Sequence, residues 1–403
     1  MRNGFRLFLM GAFGLALCVL TARAADDPKP KGDDDKSVPK TFDTQDGVQL
    51  EGTFWAADPQ APAKPKDATV LLLHNIDKAK GGDSHQDNWD NLAKKLSDQG
   101  FSVLSFDFRG FGKSHAVNKD LFWDPVKGKY NRLYVKGGNR NPPPDTIDHS
   151  DFDNNAGEYY PFLVNDIAAA KSFLDRHTGE GGVNSSNLIV VGAGEGATLG
   201  AMWMASQWHL RKLSGIDPTT LRPTYDEPEG RDEAGAVWLS ISPKLGGHEA
   251  PSMVRNWLAD ADGENKVPMA FLFGADDSSA EAFAKSAVRE VGARYHRFNP
   301  NAKEEDLRAW VKFNAAVDPV EKTNLTGSKL LGVDGTADAV VNYAKNVMES
   351  PARGVKEARS HTLQREDLFY WTFPNRPKLE AKSGIDTTIR MIPVKEFLMA
   401  SGG

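Results

Sequence analysis

Residues 187–197 read Asn-Leu-Ile-Val-Val-Gly-Ala-Gly-Glu-Gly-Ala, and this segment constrains the fold more than any other in the chain. An unbroken apolar run of this kind is a strand buried on both faces. The alternating glycines permit a sharp reversal and close backbone approach. A helix-forming stretch begins at Gly196-Ala197. The segment therefore predicts a buried strand, a tight turn and a helix, the repeating unit of a parallel α/β sheet. Gly194 stands at the apex of the turn.

The flanking sequence repeats the pattern. Thr69-Val70-Leu71-Leu72-Leu73-His74 is a second continuous apolar run, followed by Trp89, Leu92, Ala93 and Leu96 at helical spacing and a stop at Gly100. Residues 101–108 read as a strand, and Leu163, Ile167, Ala170 and Leu174 form a helical stripe. Strands are predicted again over 235–241 and 269–273, and a late helix from Thr336 carries Ala337, Val340, Val341, Ala344 and Val347. The expected class is α/β, with a doubly wound, mostly parallel sheet. The folded domain is expected over 42–350, opening with an alternating strand over 48–54.

Three segments break the alternation. Residues 115–160 hold Phe122, Trp123, Tyr130, Tyr134, Phe152, Tyr159 and Tyr160, and are too long for a plain connection; a cap insertion is expected there. Residues 294–320 read as a helical insertion. Residues 351–403 form a C-terminal extension, with Phe369-Tyr370-Trp371-Thr372-Phe373-Pro374 and an expected strand over 389–394.

The first residues carry an address. Arg2 and Arg6 precede an apolar stretch from Leu7 to Leu20, and Ala22-Arg23-Ala24 fits a cleavage site. Residues 1–24 thus read as a signal peptide, which implies a secreted or periplasmic protein of bacterial type. The alternative, an uncleaved anchor, is disfavoured because the apolar run is short for a membrane span; no stable membrane insertion is expected after cleavage. Residues 25–41, rich in Asp, Lys and Pro, read as a disordered linker. Cys18 is the only cysteine and lies inside the leader, so the mature chain has no disulfide and no thiol chemistry. The net charge is −6, and loss of Arg2, Arg6 and Arg23 with the leader takes it to −9. That balance argues against nucleic acid as a partner.

Four landmarks in order resemble the α/β-hydrolase superfamily, closest to its dienelactone-hydrolase and serine-aminopeptidase-like branches. They are Leu71-Leu72-Leu73-His74-Asn75, then Phe106-Asp107-Phe108-Arg109-Gly110-Phe111-Gly112-Lys113-Ser114, the turn at 192–197, and Phe273-Gly274-Ala275-Asp276-Asp277. The resemblance covers roughly residues 42–350. It implies that Asp277 stands at the triad-acid position, and that His74 and Asn75 belong to the oxyanion loop. It further implies that the backbone of Glu195 donates to an oxyanion. The same correspondence places Gly194 at the nucleophile position, vacated. The triad histidine belongs near 327–332, and none is there. A serine nucleophile needs a base, and the base an orienting acid. The resemblance therefore predicts a degenerate hydrolase that keeps a pocket for a small-molecule or peptide ligand.

Other readings of the residues stay open. Sliding the frame by one residue makes Glu195 an acidic nucleophile in a working ester or peptide hydrolase; the competing reading is a carboxylate at a helix start, which the helix dipole favours. A third reading is an interaction module that docks a partner through 351–403. His361 is the sole histidine after 296 and lies well past the expected triad site. Asp145, Asp148, His149, Asp151 and Asp153 match no metal-ligand spacing and read as a solvated acidic loop, so no metal is expected. Gly192-Ala193-Gly194-Glu195-Gly196-Ala197 mimics a dinucleotide fingerprint, but such motifs occupy the first strand–helix turn of a domain, and strands precede it here. No cofactor is expected.

Overall fold

The structure is a computed structural model describing residues 37–61, 68–77, 79–125, 128–152, 159–208, 210–221, 223–225, 227–249, 267–320 and 323–350, and the backbone of 369–372 and 388–390. The expected signal peptide, most of the expected linker and His361 lie outside the described residues. Among the described residues no helix is long and apolar enough to cross a membrane.

One sheet organises the domain. Its strands are β1 (Ser37–Asp43), β2 (Gln49–Trp55), β3 (Thr69–Leu73), β4 (Ser102–Phe106), β5 (Leu188–Ala193), β6 (Glu233–Leu239), β7 (Met269–Gly274) and β8 (Ala315–Val320). They lie in the order β1-β2-β4-β3-β5-β6-β7-β8. β1 and β2 pair antiparallel, β2 runs antiparallel to β4, and every later pairing is parallel.

Two corrections to the sequence reading concern the sheet's edges. Among the described residues the sheet starts at Ser37, inside the expected linker, where β1 pairs along its length with β2. The expected helical insertion over 294–320 ends in β8, which pairs with β7 and closes the sheet. Sequence periodicity hid both strands because edge strands lack a doubly buried apolar run.

The helices α1 (Trp89–Asp98), α2 (Val164–Arg176), α3 (Gly194–Gln207), α4 (Ser278–Phe298), α5 (Glu304–Asn314) and α6 (Thr336–Glu349) cover both faces. Alternate residues of β5 feed opposite cores. Leu188 and Val190 join the cluster containing α2 and α3 side chains, while Ile189 and Val191 join that of α1 and α6. Both faces of the central strands are thus dry, as their uniform apolar sequence required.

The 115–160 segment is tied into the domain. Phe122, Trp123, Phe152, Tyr159 and Tyr160 are buried in the larger core cluster. The segment is bridged to the sheet region through Val48–Val117 and internally through Ala116–Thr146 and Val135–Phe152. A second, four-stranded sheet lies outside the expected alternation. It joins Leu210–Ile216 and Pro223–Tyr225 to Phe369–Thr372 and Thr388–Arg390 of the C-terminal extension. Phe369–Thr372 pairs antiparallel with Leu210–Ile216, so the extension's backbone returns to its own chain.

Candidate functional site

β5 ends at Ala193 and α3 begins at Gly194, whose φ of +54° is the left-handed turn predicted from the glycine pattern. Gly196 is needed for a different reason: a Cβ there would lie 2.1 Å from the His74 carbonyl oxygen. The loop after β3 therefore presses directly on the first turn of α3.

That loop fills the apex. A Cβ on Gly194 would lie 2.0 Å from Asn75 Oδ1 and 2.8 Å from its Cγ. The Asn75 carboxamide thus stands where a side chain on residue 194 would project. Its Oδ1 accepts a hydrogen bond from the Glu195 backbone N–H at 3.2 Å. This N–H is the one the sequence correspondence assigned to an oxyanion. Beside the same amide is Gly327, with φ of +61°; a Cβ there would sit 3.6 Å from Asn75 Cγ and 3.7 Å from Gly194 N. Gly327 opens the 327–332 stretch where a triad histidine was sought. Two glycines thus lie against one half-buried amide.

His74 is committed to structure. Its Nε2 accepts from the Phe108 N–H at 3.1 Å, which fixes the proton on Nδ1, and Nδ1 donates to the Asn75 carbonyl at 2.8 Å. Burial lowers its pKa below the ordinary histidine value against the pull of Asp107. A neutral ring with both nitrogens occupied has no lone pair for a nucleophile. Asp277 follows β7 by three residues and caps α4: its Oδ1 accepts from the Ala280 N–H at 3.0 Å.

Glu195 faces the loop after β6. Its Oε2 accepts from the Gly246 N–H at 2.8 Å. Burial raises its pKa to about 7, with Asp77 adding like-charge repulsion and the Gly246 bond opposing. Tyr160 lies in the same electrostatic neighbourhood. Burial raises its pKa, and Glu195 and Asp77 add to that. Its hydroxyl is buried with no hydrogen-bond partner among the described residues.

Sequence reasoning missed the Asn75 side chain, Tyr160, Gly327 and Ser240. Leu239 and Ala193 are register partners, so Ser240 follows β6 as Gly194 follows β5. Ser240 has φ of +44°, and its buried hydroxyl has no partner among the described residues. Without a bonded base it is a strained serine, not an activated one. No motif signals any of these roles, since each arises from contact between distant segments.

Among the described residues, no group of three or more His, Cys, Asp or Glu is placed to hold a metal ion. In the acidic stretch Asp148 and Asp151 form a reciprocal cap around the short helix His149–Asp151.

The strand order with its antiparallel second strand, together with the glycine turn after β5, defines an α/β-hydrolase fold. Several solved structures are similar to this chain. A lidless α/β serine hydrolase of Xanthomonas campestris is 12% identical, with 77% of this chain and 93% of that one covered and a TM-score of 0.36. The dienelactone hydrolase of Anabaena variabilis is 13% identical, with 77% and 97% covered and a TM-score of 0.39. An esterase of Pyrococcus furiosus is 15% identical, with 77% and 91% covered and a TM-score of 0.41. No protein-family model matches the chain, and no curated protein does.

Proposed function

We propose that this chain is an exported α/β-hydrolase-fold protein without hydrolase activity, which uses the region of the vacated elbow to bind a small molecule or peptide. One observation carries the reading: the Asn75 carboxamide occupies the nucleophile's place and bonds the Glu195 N–H. Acyl transfer needs an attacking atom and an oxyanion hole open to the substrate. Here glycine withholds the first and an internal amide fills the second. The half-buried Asn75 is held at this end by one hydrogen bond to a backbone N–H, worth about 1 kcal/mol net. A ligand carbonyl or carboxylate can replace it. Export is supported by the charged, apolar and A-x-A pattern of residues 1–24.

A second reading is favoured by the Glu195 carboxyl, whose pKa of about 7 suits acid–base work at neutral pH. Hydrolysis of p-nitrophenyl acetate separates the two. The non-catalytic reading expects wild type and Glu195→Gln to share the rate of a heat-denatured control. Saturable wild-type turnover that Glu195→Gln abolishes would establish the rival.

A further inference from the structure

The stretch from Lys127 to Arg140 carries Lys127, Lys129, Arg132, Lys136 and Arg140, and no acidic residue falls between Asp124 and Asp145. In a chain of net charge −6 this is a local reversal of sign. Arg132, Lys136 and Arg140 line an open cavity of about 330 Å³. Among the described residues none of the three is in an ion pair. Arg132 Nη1 donates to the Trp123 carbonyl at 3.4 Å, and Lys136 Nζ to the Ser150 carbonyl at 3.2 Å. Carbonyl contacts orient a cation but leave its charge uncompensated. Leu133, at the same cavity, is 58% exposed.

The cavity wall is braced. Trp123 Nε1 donates to the Pro144 carbonyl at 2.8 Å, and the Lys136 N–H to the Asp151 carbonyl at 2.9 Å. Gly137 turns the chain with φ of +112°, and a Cβ there would meet Pro144 Cγ at 2.8 Å. The cations are therefore presented on a fixed loop.

We infer that this cavity binds a phosphate monoester carrying an apolar group. A monocarboxylate balances one of three cations, whereas a phosphate monoester brings about −1.5 to −2 charges and three acceptor oxygens. Two guanidinium forks suit those oxygens, and Leu133 offers the apolar portion a surface. None of the elbow residues lines the cavity, so the inference is independent of the proposed function.

The test is calorimetric titration of the full chain in phosphate-free buffer with hexyl phosphate, hexanoate and 1-hexanol. Hexyl phosphate should saturate and bind about tenfold tighter than hexanoate, with 1-hexanol silent. Arg132→Gln and Arg140→Gln should each weaken it about fivefold or more, with unchanged melting temperature, and added salt should weaken it further. Vesicles of phosphatidylcholine with and without phosphatidic acid identify the source. Capture by phosphatidic acid that hexyl phosphate reverses assigns a lipid headgroup; its absence beside a saturating titration assigns a soluble ester. The inference is overturned if neither hexyl phosphate nor phosphatidic acid binds, or if the Arg132→Gln/Arg140→Gln double variant binds as wild type does.

Discussion

Gly194 and Asn75 act as one unit. A side chain at Gly194 meets two obstacles: a backbone φ of +54° and the Asn75 oxygen at 2.0 Å from its Cβ. Gly194→Ser should therefore lower stability by about 1–3 kcal/mol in urea denaturation. It should also leave ester hydrolysis at background, because both His74 nitrogens are taken. Glu195 makes a separate prediction. Its carboxyl has a folded pKa of about 7 against a reference of 4.5. Between those values the folded state holds the proton and the unfolded state has released it, so stability falls as pH rises through that window and levels off above it. Glu195→Gln should flatten this dependence between pH 4.5 and 7 and be more stable, relative to wild type, above it. A melting series across pH checks the sign. The sharp turn at Gly194 was legible from the glycine spacing, while its reading as a vacated nucleophile position came from the family resemblance. The filling of that position was not legible, since Asn75 lies far away in sequence and only the close approach of the β3 loop to α3 brings the amide there.

The elements that sequence reasoning recovered and those it missed differ in burial. The inner strands β3, β4, β5 and β7 are buried along their length, and their apolar runs announce them. β1 and β8 are the sheet's two edges. β1 contains Pro39 and Lys40, and β8 contains Asp318 and Pro319, residues that an edge tolerates and an inner strand does not. Their composition therefore resembles a linker and a loop. The pairing of Phe369–Thr372 with Leu210–Ile216 was equally invisible, because register between distant segments leaves no local trace. Truncation after residue 350 should expose the paired edge of Leu210–Ile216. Amide exchange at Leu210, Arg211 and Lys212 should accelerate strongly, while exchange in β5 stays slow. Unchanged exchange at 210–212 would remove the extension from the fold.

Across the molecule, Arg109 ties together segments that the sheet alone does not join. Its fully buried guanidinium pairs with Asp46 at 2.6 Å and with Asp166 at 2.7 Å, and donates to Tyr159 Oη at 3.2 Å. Asp46 also accepts from Asn131 Nδ2 at 3.0 Å. The β1–β2 turn, the loop after β4, the 115–160 segment and α2 thus meet at one cation. Burial pushes the Asp46 carboxyl up, but Arg109 and the surrounding donors bring it down to about 2. The sign follows: this contribution is complete above the unfolded value near 3.8 and is lost as pH falls towards 2. Asp46→Asn should lower stability by about 3 kcal/mol at pH 7, because Arg109 keeps its burial and loses a counter-charge. The gap between variant and wild type should narrow below about pH 4. The sequence showed Arg109 within a recognisable motif, but not the two carboxylates that neutralise it.

A double-mutant cycle on stability, with Gly194→Ala and Asn75→Gly made singly and together, tests the central contact most directly. If the carboxamide occupies the apex, removing it relieves the crowding around the methyl group that Gly194→Ala introduces. The double variant is then more stable than the sum of the single losses by about 1 kcal/mol or more. Strict additivity, with the loss from Gly194→Ala unchanged when Asn75 is absent, would contradict the account.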